Sequence, residues 1–273
     1  MHPNCDERDD PQIIGALKYL IRSHGAFGAM TPADMTDEQV IKELRKFDTA
    51  TICNVVATYP ESDICLKLYD AWRGEYYTDA SIRCIFPELG PICGYAATAW
   101  YSDERAEHTK MDPWLLFDHL EGTKKPIVLV ARQTYSPGLE NRSGLFGLIM
   151  STELKAFGVA GVLTDGPMRD FVDIKTHVKI QYLSTGLASG HGPLQLRGAG
   201  MPLMVAGMSV SPGDIVHMDQ CGACKFPASK LPQVLEFANE LVKRETKERQ
   251  KFTDPKFSYQ KWKAEVQGQH KEK

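Results

Sequence analysis

Two short apolar runs with a predicted helix between them constrain the fold of this chain more than any other feature. Residues 126–131 read Pro-Ile-Val-Leu-Val-Ala, and residues 159–163 read Val-Ala-Gly-Val-Leu. Both runs have the length and composition of buried strands. Residues 148–157 are predicted to form a helix that ends at Gly158, a common helix-ending residue. This strand–helix–strand order predicts an α/β fold.

The rest of the chain adds further predicted elements but no internal repeat. A capping box at residues 36–39, Thr-Asp-Glu-Gln, predicts the start of one helix, and a second helix is predicted after Thr49. Residues 60–80 are predicted to be an insertion or an irregular helical segment. The other predictions are a helix at 12–22, a polar loop at 132–143, strands near 179–183, 202–206 and 215–218, and a final helix at about 229–251 with a frayed tail beyond it.

A charged stretch directly follows the second strand of the central unit. Residues 166–173 read Gly-Pro-Met-Arg-Asp-Phe-Val-Asp, which places Arg169, Asp170 and Asp173 just past the strand. Ligands of α/β proteins bind at the carboxyl ends of strands. An Arg beside an Asp there suggests one group for a substrate oxygen and one for a metal ion. The alternative is an Arg–Asp pair that closes a loop, and both interpretations stay open at this point.

A glycine pair, Gly144 and Gly147, precedes the helix predicted from residue 148. Glycine lets the backbone approach a ligand closely. The first free N–H groups of the helix, on Leu148, Ile149 and Met150, then form an anion site that suits a carboxylate or a phosphate. A plain loop-to-helix turn is the alternative interpretation.

An anion site, an Arg and an acidic residue together suit a 2-oxo acid. The helix amides would take its carboxylate, and Arg169 would stabilise the enolate that forms when a bond to the neighbouring carbon breaks. A divalent cation would bridge the carboxylate and keto oxygens. An all-oxygen site with few protein ligands suits Mg²⁺ or Mn²⁺.

Composition argues against several other classes of protein. The chain of 273 residues has a net charge of −3, so it has no overall basic field that would attract nucleic acid. No apolar run approaches the ~20 residues of a membrane span, and residues 1–10 lack the order of a signal peptide. We therefore expect a cytoplasmic protein whose partner is a small-molecule carboxylate, not nucleic acid or a membrane.

The cysteines do not form a recognisable framework. Their number, seven, is odd and their spacing is scattered, which argues against a secreted disulfide protein. Cys221 and Cys224 form a C-x-x-C motif, but its flanks look like two strands around a glycine turn. We expect buried or incidental thiols there, not a redox or zinc site.

The spacing of the charged stretch resembles that of a known family. Gly147 is followed after 21 residues by Arg169-Asp170, and Asp173 comes after two further residues. This spacing is similar to the motif of RraA-like proteins. That family includes class II 4-hydroxy-4-methyl-2-oxoglutarate aldolases and regulator of ribonuclease E activity A. The likeness spans roughly residues 45–250, with further matches at 47–51, 91–99, 158–162 and 212–216.

The resemblance implies an α/β fold of the αββα sandwich, phosphohistidine-swivelling-like type, with an extra N-terminal helical segment. It divides the chain into an N-terminal extension (1–45), a catalytic domain (46–251) and a C-terminal tail (252–273). It also implies a homotrimer or homohexamer with active sites between subunits.

The resemblance also implies roles for particular residues. In the aldolases the Arg binds the keto or enolate oxygen and the following Asp binds the divalent metal, which gives these roles to Arg169 and Asp170. The amides after Gly147, those of residues 148–150, would hold the carboxylate of pyruvate.

The sequence departs from the family pattern at several positions. The aldolases have an acidic residue where this chain has Leu148, which cannot hydrogen-bond a water. Many members have Asp where this chain has Asn54. A glutamate from a second subunit could match Glu245 or Glu248, and Asp165 or Asp173 could replace a lost carboxylate.

One histidine is a further candidate for acid–base work. His191 lies in a predicted flexible loop, Ser-Gly-His-Gly, after a strand. His177 and His217 are expected to be structural.

Three functions remain open from the sequence. The first is a metal-dependent lyase that cleaves a 2-oxo or related carboxylic acid by retro-aldol reaction or decarboxylation. The second keeps the scaffold but performs a specialised isomerisation, elimination or hydrolysis. The third is a non-catalytic regulatory binding protein.

Overall fold

The computed structural model describes residues 31–103, 109–139 and 142–269, and its helices surround one large sheet. The predicted helix at 12–22 lies outside the described residues. Short 3₁₀ turns cover Pro32–Asp34, Pro87–Leu89 and Ala228–Lys230. The helices are α1 (Asp37–Leu44), α2 (Thr49–Val56), α3 (Trp114–Gly122), α4 (Leu148–Ala156), α5 (Phe171–Asp173, continued by a π-helical turn over Ile174–Val178), α6 (Leu231–Thr253) and α7 (Tyr259–Gln269).

Twelve strands are present in the described part of the chain, and eight of them form the large sheet. They are β1 (Ala57–Thr58), β2 (Tyr69–Asp70), β3 (Arg83–Cys84), β4 (Ile92–Ser102), β5 (Ile127–Thr134), β6 (Val159–Thr164), β7 (Gln181–Ser184), β8 (Gln195–Ala199), β9 (Leu203–Val205), β10 (Met208–Val210), β11 (Ile215–Asp219) and β12 (Gly222–Phe226). The sheet order is β12-β11-β4-β5-β6-β7-β3, and β8 pairs with the far end of β4.

The centre of the sheet is parallel, as the strand–helix–strand pattern requires. Strands β4, β5, β6 and β7 run in the same direction, whereas β3, β8 and β11 are antiparallel to their neighbours. The carboxyl ends of β5, β6 and β7 therefore meet at one edge. The loops that follow these strands are brought together there.

Both faces of the sheet are buried, which explains the nearly continuous apolar runs of the central strands. In β5, Ile127, Leu129 and Ala131 pack outwards against α3 and α4, while Val128 and Val130 point to the opposite face. That inner face is filled by side chains from β11 and from the β9–β10 hairpin, so the sheet curves into a nearly closed barrel.

The helices form two groups on the outside of this curved sheet. Helices α3, α4 and α5 cover one group of strands, and α1, α2 and α6 pack on β4, β11 and β12. The protein therefore has the predicted α/β fold of the αββα sandwich type, with extra N-terminal helices.

Local sequence signals explain where the first helices begin. At α1 the Thr36 hydroxyl accepts a hydrogen bond from the Gln39 amide, and the Gln39 side chain accepts one from the Thr36 amide, which confirms the predicted capping box. At α2 the Asp48 carboxylate accepts a hydrogen bond from the Thr51 amide. Both caps satisfy amides that have no partner within the helix.

Several sequence-based expectations were wrong in detail. Residues 60–80 contain no helix but turns and the short strand β2, because the segment pairs with β1. The predicted polar loop at 132–143 begins only after Thr134, where β5 ends. The tail is helical beyond residue 258 instead of frayed, since aromatic rings of α6 and α7 pack together. Helix α3 and strand β8 were not predicted.

The Cys221–Cys224 motif lies on a β-hairpin, as its flanks predicted. Strands β11 and β12 pair antiparallel, with Cys224 buried on β12 and Cys221 exposed at the turn. Burial raises the pKa of the Cys224 thiol. Among the described residues, no three His, Cys, Asp or Glu side chains form a cluster that could hold a metal ion.

His217 on β11 is a fully buried neutral histidine. Its Nε2 lies 3.1 Å from the Leu44 carbonyl oxygen, and its Nδ1 lies 2.9 Å from the Thr49 hydroxyl. Because a carbonyl can only accept, Nε2–H donates to Leu44 and Nδ1 accepts from Thr49. Burial lowers the pKa of His217 from 6.5 to about 4.

We expect His217 to make the stability of the protein depend on pH. The unfolded chain takes up a proton below about pH 6.5 that the folded chain excludes until about pH 4, so the free energy of unfolding falls across this window. The His217 contribution between about pH 8 and pH 5 is about 2 kcal/mol. Urea unfolding of wild type and His217→Gln at several pH values measures it as the difference in slope.

His177→Gln is the matched control, because His177 is exposed. It should keep the wild-type pH dependence. The same pH dependence in wild type and His217→Gln would contradict the assignment.

Candidate active site

Three chain segments meet beyond the carboxyl ends of the parallel strands. The Arg169 amide donates to the Phe146 carbonyl at 3.0 Å, and the Ala188 amide donates to the Met168 carbonyl at 2.9 Å. The Gly144 amide also donates to the Gly190 carbonyl at 2.8 Å. These bonds hold the glycine segment, the Arg–Asp stretch and the loop that contains His191 side by side.

Gly147 is the point at which the Arg–Asp turn lies closest to the start of α4. A Cβ atom at this position would lie 2.6 Å from Asp170 Oδ2 and 2.8 Å from Arg169 Nε. Asp170 itself has a φ of +60°, in the left-handed region that Asp tolerates better than most residues. The local fold therefore depends on residue 147 being a glycine, which has no side chain to fill this space.

The carboxylate of Asp170 caps helix α4. Its Oδ2 accepts a hydrogen bond of 2.8 Å from the Leu148 amide. The sequence predicted that the amides of Leu148, Ile149 and Met150 are all free for a ligand, but the first of them is already used. Ile149 and Met150 keep amides without a partner within the helix, since Ser151 is the first residue to donate back to Gly147.

Arg169 carries a buried donor that has no partner. Its Nε atom is buried and makes no hydrogen bond. A buried, unpaired N–H is unfavourable by about 1–3 kcal/mol, so Arg169 has a donor whose hydrogen bond is not satisfied by the described residues. The atom lies against Gly147, at the beginning of α4.

A cavity of about 430 Å³ opens at this point. Gly147, Ile149, Met150, Arg169 and His191, five of the predicted site residues, all line it. The other lining residues are Tyr101, Lys110, Met111, Pro113, Leu116, Phe117, Leu145, Glu153, Leu194, Gln195 and Leu196. The structure thus brings residues of the first turn of α4, the Arg and the histidine to one cavity, whereas Leu148 and Asp170 are not among its lining residues.

His191 is oriented by its own loop. Its Nδ1 lies 2.9 Å from the Gly192 carbonyl oxygen, so Nδ1–H is the donor and Nε2 keeps its lone pair. The ring is exposed and lines the cavity. This tautomer can accept a proton at Nε2.

Other candidate residues lie elsewhere. Asp173 is exposed on α5, 3.9 Å from His177 Nε2, and Glu245 is exposed on α6, which packs on α1 and α2 and not beside the cavity. Asp165 accepts a hydrogen bond of 2.6 Å from the Gln133 amide, and burial raises its pKa to about 6. Among the described residues, none of these carboxylates belongs to a group of three or more side chains that could hold a metal ion.

The donors around Asp170 fit one kind of metal site. Asp170 is exposed, and its Oδ1 makes no hydrogen bond among the described residues. A single carboxylate beside a ligand fits a Mg²⁺ or Mn²⁺ ion that keeps most of its waters. It does not fit a dehydrated site with three or four protein ligands, and Leu148 adds no oxygen.

Sequence reasoning did not find the apolar side of the cavity. Met111, Phe117 and Leu196 come from segments for which no element was predicted. A sequence pattern could have predicted the helix that forms part of this wall. It has a proline, Pro113, before Leu116 and Leu120, which lie four residues apart, and this pattern is typical of a helix start.

The fold and site together define an α/β protein with an Arg, an Asp and a helix N-terminus at the carboxyl ends of parallel strands. Residues 49–224 match the model of the RraA-like family, described as Aldolase/RraA, and the chain belongs to this family. The family includes metal-dependent aldolases as well as ribonuclease E inhibitors, and its members are typically oligomeric. The matched range lies inside the predicted catalytic domain, whose boundaries stay a prediction.

Known proteins resemble this chain at low identity. An uncharacterized protein of Methanocaldococcus jannaschii is 31% identical over 110 residues, which cover 40% of this chain and 52% of the relative, so the match spans about half of that protein. A solved structure from Streptomyces coelicolor, RraAS2, described as an unusual member of the RNase ES inhibitor RraA protein family, has a TM-score of 0.59 at 20% identity, covering 78% of this chain and 97% of its own.

Another solved structure is described as one of the novel cellulases from microbes associated with the gut ecosystem. It has a TM-score of 0.61 at 18% identity and covers 87% of this chain and all of its own. Similarity at this level shows a shared fold and nothing about activity. Among the described residues, no helix has both the length and the apolar character needed to cross a bilayer.

Replacing Gly147 by Ala should disrupt the Arg–Asp turn. The added methyl group overlaps Asp170 Oδ2 and Arg169 Nε, so we expect a loss of about 1–3 kcal/mol in the free energy of unfolding. Urea unfolding measures the loss, and a crystal structure of the variant should show Asp170 detached from the Leu148 amide.

Gly122→Ala is the matched control, because no atom lies within 4 Å of a Cβ at the end of α3. It should leave stability unchanged or raise it by up to about 1 kcal/mol. A Gly147→Ala variant with wild-type stability and an unmoved turn would contradict the close approach.

Proposed function

We propose that this chain is a divalent-metal-dependent carbon–carbon lyase that cleaves a 2-oxo or related carboxylic acid through an enolate. The observation that carries the proposal is the buried Arg169 Nε without a partner, beside the free amides of α4 in one cavity. An unpaired cationic donor and a helix N-terminus both favour an anionic oxygen ligand.

The binding step uses the beginning of α4 and Arg169. The amides of Ile149 and Met150 hold the substrate carboxylate, and Gly147 lets Arg169 lie close to the beginning of the helix. Arg169 donates to the keto oxygen and stabilises the negative charge that this oxygen gains as the bond to the neighbouring carbon breaks.

Asp170 is the proposed metal ligand of this chain. A bound Mg²⁺ or Mn²⁺ supplies Lewis-acid polarisation of the substrate oxygens. Asp170 keeps Oδ1 available for the ion while its Oδ2 remains on the Leu148 amide. In the proposed homotrimer or homohexamer, Glu245 of a second copy could add a carboxylate. Asp173 has no proposed role in the reaction and lies beside His177.

His191 is the proposed proton acceptor. In a retro-aldol reaction a base removes the proton of the hydroxyl group at the bond that breaks. The Nε2 lone pair of His191 makes no hydrogen bond to the described residues. In the retro-aldol reaction His191 then returns this proton to the enolate carbon. A decarboxylation needs no such base, because carbon dioxide leaves without giving up a proton, and the enolate carbon takes its proton from water.

Leu148 supports a second candidate, a specialised reaction on the same scaffold. Leu148 stands where the aldolases that the chain resembles have an acidic residue, and its side chain packs against the apolar core, so it neither holds a water nor relays a proton. An isomerisation, elimination or hydrolysis that needs only the Arg, the amides and a loosely held cation is compatible with that change.

Arg169→Ala should reduce turnover strongly. Loss of the donor to the developing oxyanion lowers kcat by about 10²–10³-fold. Arg169→Lys should recover only part of this loss, because the lysine ammonium lacks the planar fork of the guanidinium group. The assay is Mg²⁺- or Mn²⁺-dependent pyruvate release from 4-hydroxy-4-methyl-2-oxoglutarate and from oxaloacetate. Arg73→Ala, at an exposed Arg paired with Asp70, is the control. Undiminished turnover by Arg169→Ala would exclude the proposed mechanism.

Leu148→Asp should strengthen metal binding by about tenfold or more, because a second carboxylate joins Asp170 at the helix N-terminus. Mn²⁺ titration monitored by electron paramagnetic resonance measures this, with the uncharged Leu148→Asn as the control. Aldolase activity that is present in Leu148→Asp and absent from wild type would favour the specialised reaction. An unchanged Mn²⁺ affinity would argue against a metal at Asp170.

A further inference from the structure

The cavity at Arg169 is much larger than a three-carbon acid. Pyruvate has six non-hydrogen atoms and displaces roughly 100–120 Å³, the volume of about four waters at about 30 Å³ each. The cavity measures about 430 Å³. Most of its volume therefore lies beyond the proposed carboxylate and keto positions.

This remaining volume is bounded by an apolar wall. Pro113, Leu116 and Phe117 form one part of it, at the beginning of α3, and Leu194 and Leu196 form another, at β8. Leu145 also belongs to this wall. Apolar lining of this kind favours an apolar part of a ligand, because transfer of that part out of water is favourable by about 25 cal/mol per Å².

The apolar wall is fixed in place by the core and by the backbone. Leu116 and Leu196 are buried and belong to the main core cluster. The Met111 amide donates to the Leu196 carbonyl at 3.0 Å, which ties the segment before α3 to β8. The Phe117 ring packs on Phe157, 5.2 Å between centroids. A wall held in this way needs little reorganisation to accept a ligand.

The charges around the cavity do not favour a second carboxylate on the substrate. Among the described residues, the charged side chains that line the cavity besides Arg169 are Lys110 and Glu153, whose charges are opposite. Glu153 lies one turn along α4 from Ile149 and Met150, so it repels an anion placed beside it. The formal charges of Lys110 and Glu153 cancel, so the described lining has the net positive charge of Arg169 alone.

We propose that the substrate is a carboxylic acid, of the 2-oxo class, whose far end carries a bulky apolar substituent of about the size of a phenyl ring or a branched four-carbon chain. This rests on the proposed function, because the carboxylate and keto group occupy the α4 amides and Arg169. The substituent lies against the wall formed by α3 and β8.

Isothermal titration calorimetry with three 2-oxo acids tests the proposal. Pyruvate, phenylpyruvate and 2-oxoglutarate are titrated into the full chain in the presence of Mg²⁺. We expect phenylpyruvate to bind at least about tenfold more tightly than pyruvate, and 2-oxoglutarate no more tightly than pyruvate.

Met111→Glu places a carboxylate on the apolar wall at a residue that is 36% exposed. It should reduce the preference for phenylpyruvate over pyruvate by about tenfold. Met204→Glu, at a methionine of β9 that is 47% exposed and does not line this cavity, should keep the wild-type preference. The pair separates a local effect from a general effect of added charge.

The outcomes distinguish the substrate class from the proposed function. Equal binding of pyruvate and phenylpyruvate, or tighter binding of 2-oxoglutarate than of pyruvate, overturns the proposal of an apolar substituent. The proposed lyase function still stands in that case if Arg169→Ala abolishes binding. A preference that survives in Met111→Glu also overturns it. Absence of binding by all three acids overturns the substrate class together with the proposed function.

Discussion

The close contact between Gly147 and the Arg169–Asp170 turn is the constraint on which the rest of the site depends. A left-handed Asp170 is a conformation that most residues avoid at about 1–2 kcal/mol. The hydrogen bond from the Leu148 amide to its carboxylate offsets this, because bonds to charged acceptors are stronger than neutral ones. The turn and the helix therefore stabilise each other. Arg169 is held beside the helix N-terminus as a result, before any ligand is bound.

The parallel strands bring these parts together from distant positions in the chain. Helix α4 follows β5, the Arg–Asp turn follows β6, and the His191 loop follows β7. Because these strands are neighbours in the sheet and parallel, all three segments lie at the same edge. The hydrogen bonds between the three loops then fix their order. Loops far apart in sequence meet at this edge because the strands before them are parallel.

Sequence alone predicted the parts of this structure that depend on local pattern. The capping box at Thr36, the helix before Gly158 and the strand at 126–131 follow from propensity and periodicity, and the Arg169–Asp170 motif follows from its spacing to Gly147. The pairing of β8 with β4 and the apolar wall around Leu196 depend on contacts between distant segments, which no local pattern encodes. The use of the Leu148 amide by Asp170 was missed for the same reason. Any contribution of Glu245 needs a second copy of the chain.

The tie between the Met111 amide and the Leu196 carbonyl has a consequence for how such a site changes in evolution. It is a bond between backbone atoms, so it holds the wall together whichever side chains residues 111 and 196 carry. At residue 147, in contrast, any side chain displaces the turn. If the proposed function and substrate are correct, substrate preference and reaction chemistry therefore reside in separate parts of the sequence, one free to vary and one fixed. A lineage could acquire new substrates by substitutions in the wall while it kept the chemistry of the turn unchanged.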